Sequence, residues 1–259
     1  MPHTVLTLMA HPDDAEILCG GLLCLLADRG WRVHVATATA GDCGSSTLPP
    51  DAIAARRRAE ATEAAARLGG EYHCLERRDL RVFYDAPTLL EACGLIRRVN
   101  PQLVITHSPS DYMVDHEEIS RVARASCFNA PIPNAPAPAG SRPIAAIPAL
   151  YYADPIGGTD PLGEPLPPSS LVDITAVIDR KTELLACHAS QREWLRSHHG
   201  IDEYLEGTRR WGRERAALAG IEGVEYAEGF RQHRGHAYPQ ANLLAEVLGS
   251  RHIVPAEPG

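Results

Sequence analysis

The sequence predicts an α/β fold: a Rossmann-like, open and mainly parallel sheet with helices on both faces, a Pro-rich insertion and a C-terminal elaboration. Two observations predict it. Short β-rich apolar runs alternate with segments of helical period through residues 4–128. Repeated strand–helix alternation requires parallel strands joined by right-handed crossovers. The length, 259 residues, suffices for one sizeable core. With no internal repeat, residues 1–259 read as a single domain in which 129–170 form a Pro-rich insertion or lid.

Taken in order, Thr4 to Ala10 is an apolar run suited to a buried strand. From Asp14 to Arg29 the pattern becomes helical, with Ile17/Leu18, Gly21/Leu22 and Leu25/Leu26 recurring every four residues, and Gly30 ends it. Arg32 to Ala40 is β-rich and runs into the turn Gly41-Asp42-Cys43-Gly44. Asp51 to Leu68 holds no breaker before Gly69-Gly70 and reads as a helix. Glu71 to Leu75 suits a strand, Thr88 to Val99 a helix closed by Pro101, Gln102 to His107 a fourth strand, and Asp115 to Phe128 a further helix. Between Asn129 and Pro168 lie 11 of the 21 prolines, which excludes regular helix. Strand character resumes at Ala149 to Ala153 and Leu171 to Thr175. Helices are expected over Val177 to His188 and Asp202 to Ala219, and a last strand over Glu222 to Tyr226.

Composition narrows the function. Lys and Arg total 25 against 33 Asp and Glu, a formal charge of −8. With no basic run, binding to a nucleic-acid backbone is not expected. The longest apolar stretch, Ile17 to Ala27, is shorter than the roughly 20 residues of a membrane span. No basic segment followed by an apolar one opens the chain, and the seven cysteines form no CxxC pair. A soluble protein in a reducing, cytoplasmic setting is the expectation.

In an open parallel sheet, ligands collect beyond the carboxyl ends of the strands, near the reversal of strand order. Two polar clusters fall there. His11-Pro12-Asp13-Asp14 follows the first strand; imidazole and carboxylate both ligate zinc, and a strand-to-helix turn can bring His11 and Asp14 to one ion with Asp13 left free as a base. Equally, Asp13 or Asp14 caps the helix. Asp111-Tyr112-Met113-Val114-Asp115-His116 follows the fourth strand. Here Asp115, with Glu118 three residues on, reads as a capping box, which leaves His116 unexplained. Two His/Asp clusters aimed at one crevice favour the metal reading.

These residues resemble the PIG-L/LmbE-like zinc-dependent N-deacetylases. The resemblance begins at Met9-Ala10-His11-Pro12-Asp13-Asp14 and Gly20-Gly21. It continues through Gly41-Asp42, Arg57-Arg58-Ala59-Glu60-Ala61, Leu68-Gly69, Asp111 and Asp115-His116. Asp173-Ile174-Thr175, Lys181, His188 with Ser190-Gln191, and Ala227-Glu228 with Phe230 extend it over nearly the whole chain. It implies that His11, Asp14 and His116 hold Zn2+ or another divalent transition metal. It also implies that Asp13 is the general base, and that the substrate is an amino sugar or N-acetylglucosamine-containing conjugate. Asp42 and Arg57 match positions near the substrate, and Tyr112 is a further substrate-binding candidate. Several family members assemble from multiple subunits, so a homo-oligomer is the expectation. The family commonly has a His three residues before the second zinc His; this chain has Met113, a thioether that cannot donate a proton.

Asp111, Asp115, His107, His233 and His236 are therefore candidates for orienting a ligand or stabilising an oxyanion. Arg57 has a plainer reading as one of three adjacent arginines on a solvated helix, and Cys43 as an ordinary free thiol. His198-His199 are neighbours that point apart and are assigned no metal. A related-conjugate amidase and a catalytically altered binding protein on the same scaffold remain the alternatives. The absent Gly-rich fingerprint speaks against a nucleotide-binding enzyme.

Overall fold

The computed structural model describes residues 2–199 and 203–255, with backbone alone at 197–199 and 203. One eight-stranded sheet organises them, in the order β3-β2-β1-β4-β5-β7-β6-β8. Its parallel part comprises β1 (Thr4–Met9), β2 (Arg32–Thr39), β3 (Glu71–Arg77), β4 (Leu103–Thr106) and β5 (Ala149–Ala153). The order reverses between β1 and β4, so the loops after these two strands open a common crevice. The expected α/β class and mainly parallel sheet are both present.

Strand residues alternate between faces because the side-chain period is two. Val5 and Met9 join Leu22, Leu26, Ile105 and Phe230 on one side, whereas Leu6, Leu8 and Ala10 join Ile96, Ile119 and Val122 on the other. Helices α1 (Asp14–Asp28), α2 (Pro50–Arg67) and α5 (Ile178–Ala186) lie with the first face; α3 (Ala86–Val99) and α4 (Val114–Asn129) cover the second.

The C-terminal elaboration extends the sheet with β6 (Ser170–Asp173), β7 (Ala227–Gln232) and the short β8 (His252–Ile253). The last long strand thus lies at 227–232 and not at the expected 222–226. Gly220 and Gly223 both take positive φ and turn the chain before it, while Glu228 and Gly229, poor strand formers by propensity, are held by the sheet. Helices α6 (Ala189–His199), α7 (Glu203–Ala219) and α8 (Leu243–Leu248) lie in the C-terminal part; of these, the sequence predicts α7 alone. His198 and His199 have no described side chains.

One buried ion pair fastens this elaboration to α1. Helix α1 leaves helical geometry at Cys19 (φ −143°). There Lys181 donates to the Ile17 carbonyl (2.8 Å) and to Glu228 (2.6 Å), and Glu228 accepts from the backbone of Gly21 (2.7 Å) and Leu22 (2.8 Å). Side chains thus satisfy backbone groups that the kink leaves without helical partners. Gly21 also admits Ile174, whose Cγ2 would stand 2.6 Å from an added Cβ.

The Pro-rich segment does not cross the crevice along its first half. Arg97 donates to the carbonyls of Ala130 and Ile132, and Pro138 packs on Gly94, so residues 130–148 lie against α3 and α4. Of the described residues in the stretch, Ile156 reaches the main cavity. All seven cysteines are free, and no described helix is long and apolar enough to cross a membrane.

Candidate metal centre

The chain leaves β1 into His11-Pro12-Asp13-Asp14, and a left-handed Asp13 (φ 91°) turns it into α1. Such a conformation is strained in a non-Gly residue. Asp13 occupies the N-cap position but makes no capping hydrogen bond. Its carboxylate accepts from Tyr204 Oη (2.7 Å) and stands 3.5 Å from Arg57 Nη2. Asp14 instead accepts from its own turn, at the His11 N–H (2.7 Å). The second cluster opens α4, where Met113 is the N-cap and Asp115 caps nothing. Asp115 accepts from His11 Nε2 (3.2 Å) and from the backbone of Leu80 (2.7 Å) and Val82 (3.3 Å).

His11, Asp14 and His116 are all buried, and one donor atom of each falls within 4.8 Å of the others. Each is held by its second polar atom. His11 spends Nε2 on Asp115, and its Nδ1 lies 3.4 Å from Asp14 Oδ2. His116 spends Nδ1 on Asp111 (2.9 Å), while its buried Nε2 has no hydrogen-bond partner and lies 3.7 Å from Asp14 Oδ1. A carboxylate on the far nitrogen of each imidazole is the usual support of a metal-binding His. Two imidazoles and one carboxylate suit zinc, and three protein donors, rather than four, mark catalytic zinc sites. The residues therefore fit a divalent transition metal.

The electrostatics agree. Burial disfavours a charge on His11, but the hydrogen bonds of Asp115 and Asp14 outweigh it and raise its pKa to about 10. The same arrangement favours a metal dication where the proton would sit. Burial opposes ionisation of Asp14 too, yet the imidazoles of His116 and His107 hold its pKa well below the usual carboxylate range. Burial pushes Asp13 the other way, upward, against the pull of Arg57. Adjacent carboxyl groups are thus set apart, one to stay ionised and one suited to exchanging a proton.

A cavity of about 430 Å³ opens over these groups, lined among others by Asp13, Arg57, Tyr112, Met113, Tyr204 and Trp211. Arg57 is buried while its neighbours Arg56 and Arg58 pair outward with Glu60 and Glu76, so the solvated-helix reading describes those two alone. Arg57 donates to the Pro12 carbonyl (2.8 Å) and fills the space beside Gly41, where an added Cβ would lie 2.3 Å from its guanidinium. Because Gly41 also has φ 78°, Gly41→Ala should cost about 1–3 kcal/mol and displace Arg57. Denaturant unfolding alongside a crystal structure of the variant checks both.

Other candidates lie elsewhere. Asp42 turns from the cavity to accept from the Asp79 N–H (2.8 Å) and Arg78. His107 is fully buried behind the cluster, stacked on His116 at 3.8 Å, with Nε2 3.1 Å from both Asp14 Oδ2 and the Ala10 N–H. It can orient a ligand but faces no substrate. His233 binds Tyr152 Oη (2.9 Å) and His236 is exposed; neither lines the cavity. The antiparallel course of β7 explains this, since it delivers residue 233 beside Leu150, at the start of β5 and opposite the crevice. His188 is buried 3.3 Å from Glu16. The Cys43 thiol has its pKa pushed up by partial burial and by Asp79 and Asp42, so it is not a ready thiolate. Tyr204, which the sequence reading misses, comes from α7, some 190 positions after its partner Asp13; no local pattern signals that pairing.

Comparison with known proteins fits this arrangement. Residues 6–127 match the family model described as PIG-L, GlcNAc-PI de-N-acetylase. Over that stretch the chain is similar to the PIG-L/LmbE-like family. Its PIG-L relatives do not share one reaction. The chain is 26% identical over 236 residues, 88% of each sequence, to 4-oxalmesaconate hydratase of Pseudomonas putida. Among solved structures it resembles GalB, the 4-carboxy-2-hydroxymuconate hydratase of Pseudomonas putida KT2440. That match has a TM-score of 0.75 and 25% identity, covering 93% of this chain and 98% of that one. It shares the fold of the N,N'-diacetylchitobiose deacetylase of Pyrococcus horikoshii, at a TM-score of 0.74 and 24% identity over 92% and 87% of the chains. The protein is an enzyme similar to those of the PIG-L superfamily, deacetylases and a hydratase among them.

Proposed function

We propose that this enzyme removes an N-acetyl group from an amino sugar or N-acetylglucosamine-containing conjugate, with Zn2+ held by His11, Asp14 and His116. The unpartnered Nε2 of His116, facing Asp14 and His11 at the floor of the cavity, carries this reading. When bound, the metal would polarise a carbonyl and lower the pKa of water from 15.7 toward ~7. Asp13 accepts the proton of the attacking water. Tyr204 and Arg57 fix its carboxylate so that it can pass that proton to the departing amine. Tyr112 and Trp211 offer aromatic surface to the rest of the substrate at the cavity wall. A small-molecule substrate, a cytoplasmic site of action and assembly from several copies complete the proposal.

A second reading, addition of water to an unsaturated carboxylic acid, is favoured by Met113. That residue supplies no donor where the deacetylase pattern has a His, and a hydratase matches the chain across 88% of its length. Acetate release from a panel of N-acetylated amino sugars separates the two when run beside the absorbance loss of 4-carboxy-2-hydroxymuconate, the unsaturated tricarboxylate named for the similar hydratase. Acetate release supports the first, and absorbance loss alone transfers the site to the second. Neither from zinc-replete protein would refute both. In either case, dialysis against dipicolinate should remove at least 90% of the activity and added Zn2+ should restore it; full activity after chelation contradicts the metal assignment.

A further inference from the structure

We propose that His34, His73 and Glu71 form a second divalent transition-metal site, at the edge of the sheet opposite the catalytic crevice. His34 lies on β2 and pairs in register with Glu71 of β3, while His73 pairs with Ala36. The two imidazoles are therefore two residues apart on neighbouring parallel strands and share one face. Their rings stack at 5.3 Å, with His34 Nδ1 3.0 Å from His73 Nε2. Glu71 Oε2 stands 3.9 Å from the same Nδ1, and its side chain is 72% exposed and free to swing in. One donor atom of each residue falls within 4.8 Å of the others.

This geometry is close to what a metal needs. Two Zn–N bonds of about 2.0–2.1 Å at a tetrahedral angle separate the nitrogens by roughly 3.3 Å, so opening the pair by a few tenths of an ångström admits the ion. An imidazole ligates in its neutral form. On binding, the proton between the rings moves to the far nitrogen of its own ring, and both facing nitrogens become donors. Arg32 and Arg98 act against positive charge at this pair, and the Glu71 carboxylate opposes them. Because β3 is the edge strand, the ion would staple that edge to β2. Nothing in this site depends on the proposed reaction.

Zinc titration of the chelator-stripped full chain by calorimetry, compared with His73→Gln and His34→Gln, tests the proposal. The wild type should bind one more equivalent of Zn2+ than either variant. Its zinc-dependent rise in unfolding temperature should shrink in both variants, with circular dichroism unchanged without metal. Equal stoichiometry and an equal thermal shift in the three proteins would overturn it. Since the readout is a difference between proteins that share the crevice, failure of the catalytic site to bind zinc leaves it interpretable.

Discussion

Asp13→Asn should lower kcat by about 10²–10⁴-fold, the range spanned by general acid–base groups, with little change in zinc content. The amide keeps the size of the carboxylate and leaves His11, Asp14 and His116 in place, but it cannot take a proton. Tyr204 and Arg57 would still hold it, because its oxygen can accept where the carboxylate did. The change should therefore fall on kcat far more than on KM. Initial rates together with metal analysis check both halves, and an unchanged rate would remove Asp13 from the mechanism in either functional reading.

Glu228→Ala should destabilise the fold by about 3–5 kcal/mol, as expected when one member of a buried pair is removed. Lys181 and Glu228 are each 3% exposed. Loss of the carboxylate strands the ammonium and leaves the N–H groups of Gly21 and Leu22 without their acceptor. Lys181→Met in the same background removes the stranded charge, so the double variant should recover part of the loss. Urea unfolding of the three proteins measures it. A cost below about 1 kcal/mol for Glu228→Ala would show that the kink in α1 is held by other means.

The first half of the chain was legible because local pattern and tertiary role coincide there. From β1 to α4, each apolar period ends in a turn signal, and the two polar clusters follow the strands that flank the reversal point. His11, Asp14 and His116 could be nominated for that reason. The second half was less legible. The segment of β7 carries Glu228, Gly229 and Arg231, and only Lys181 and the sheet neighbours make it a buried strand. Asp115 looked like a helix cap because spacing cannot show that Leu80, Val82 and His11 compete for its carboxylate. Tyr204 and Trp211 reach the cavity through packing that joins residues far apart in sequence.

His11, Asp14 and His116 are proposed to grip one ion. Anomalous diffraction at the zinc edge from crystals of zinc-replete protein tests it most directly. A peak about 2.0–2.2 Å from one nitrogen of each imidazole and one oxygen of Asp14 is the expected result. Zinc held by other side chains, or density absent from this point at full zinc occupancy in solution, would contradict it.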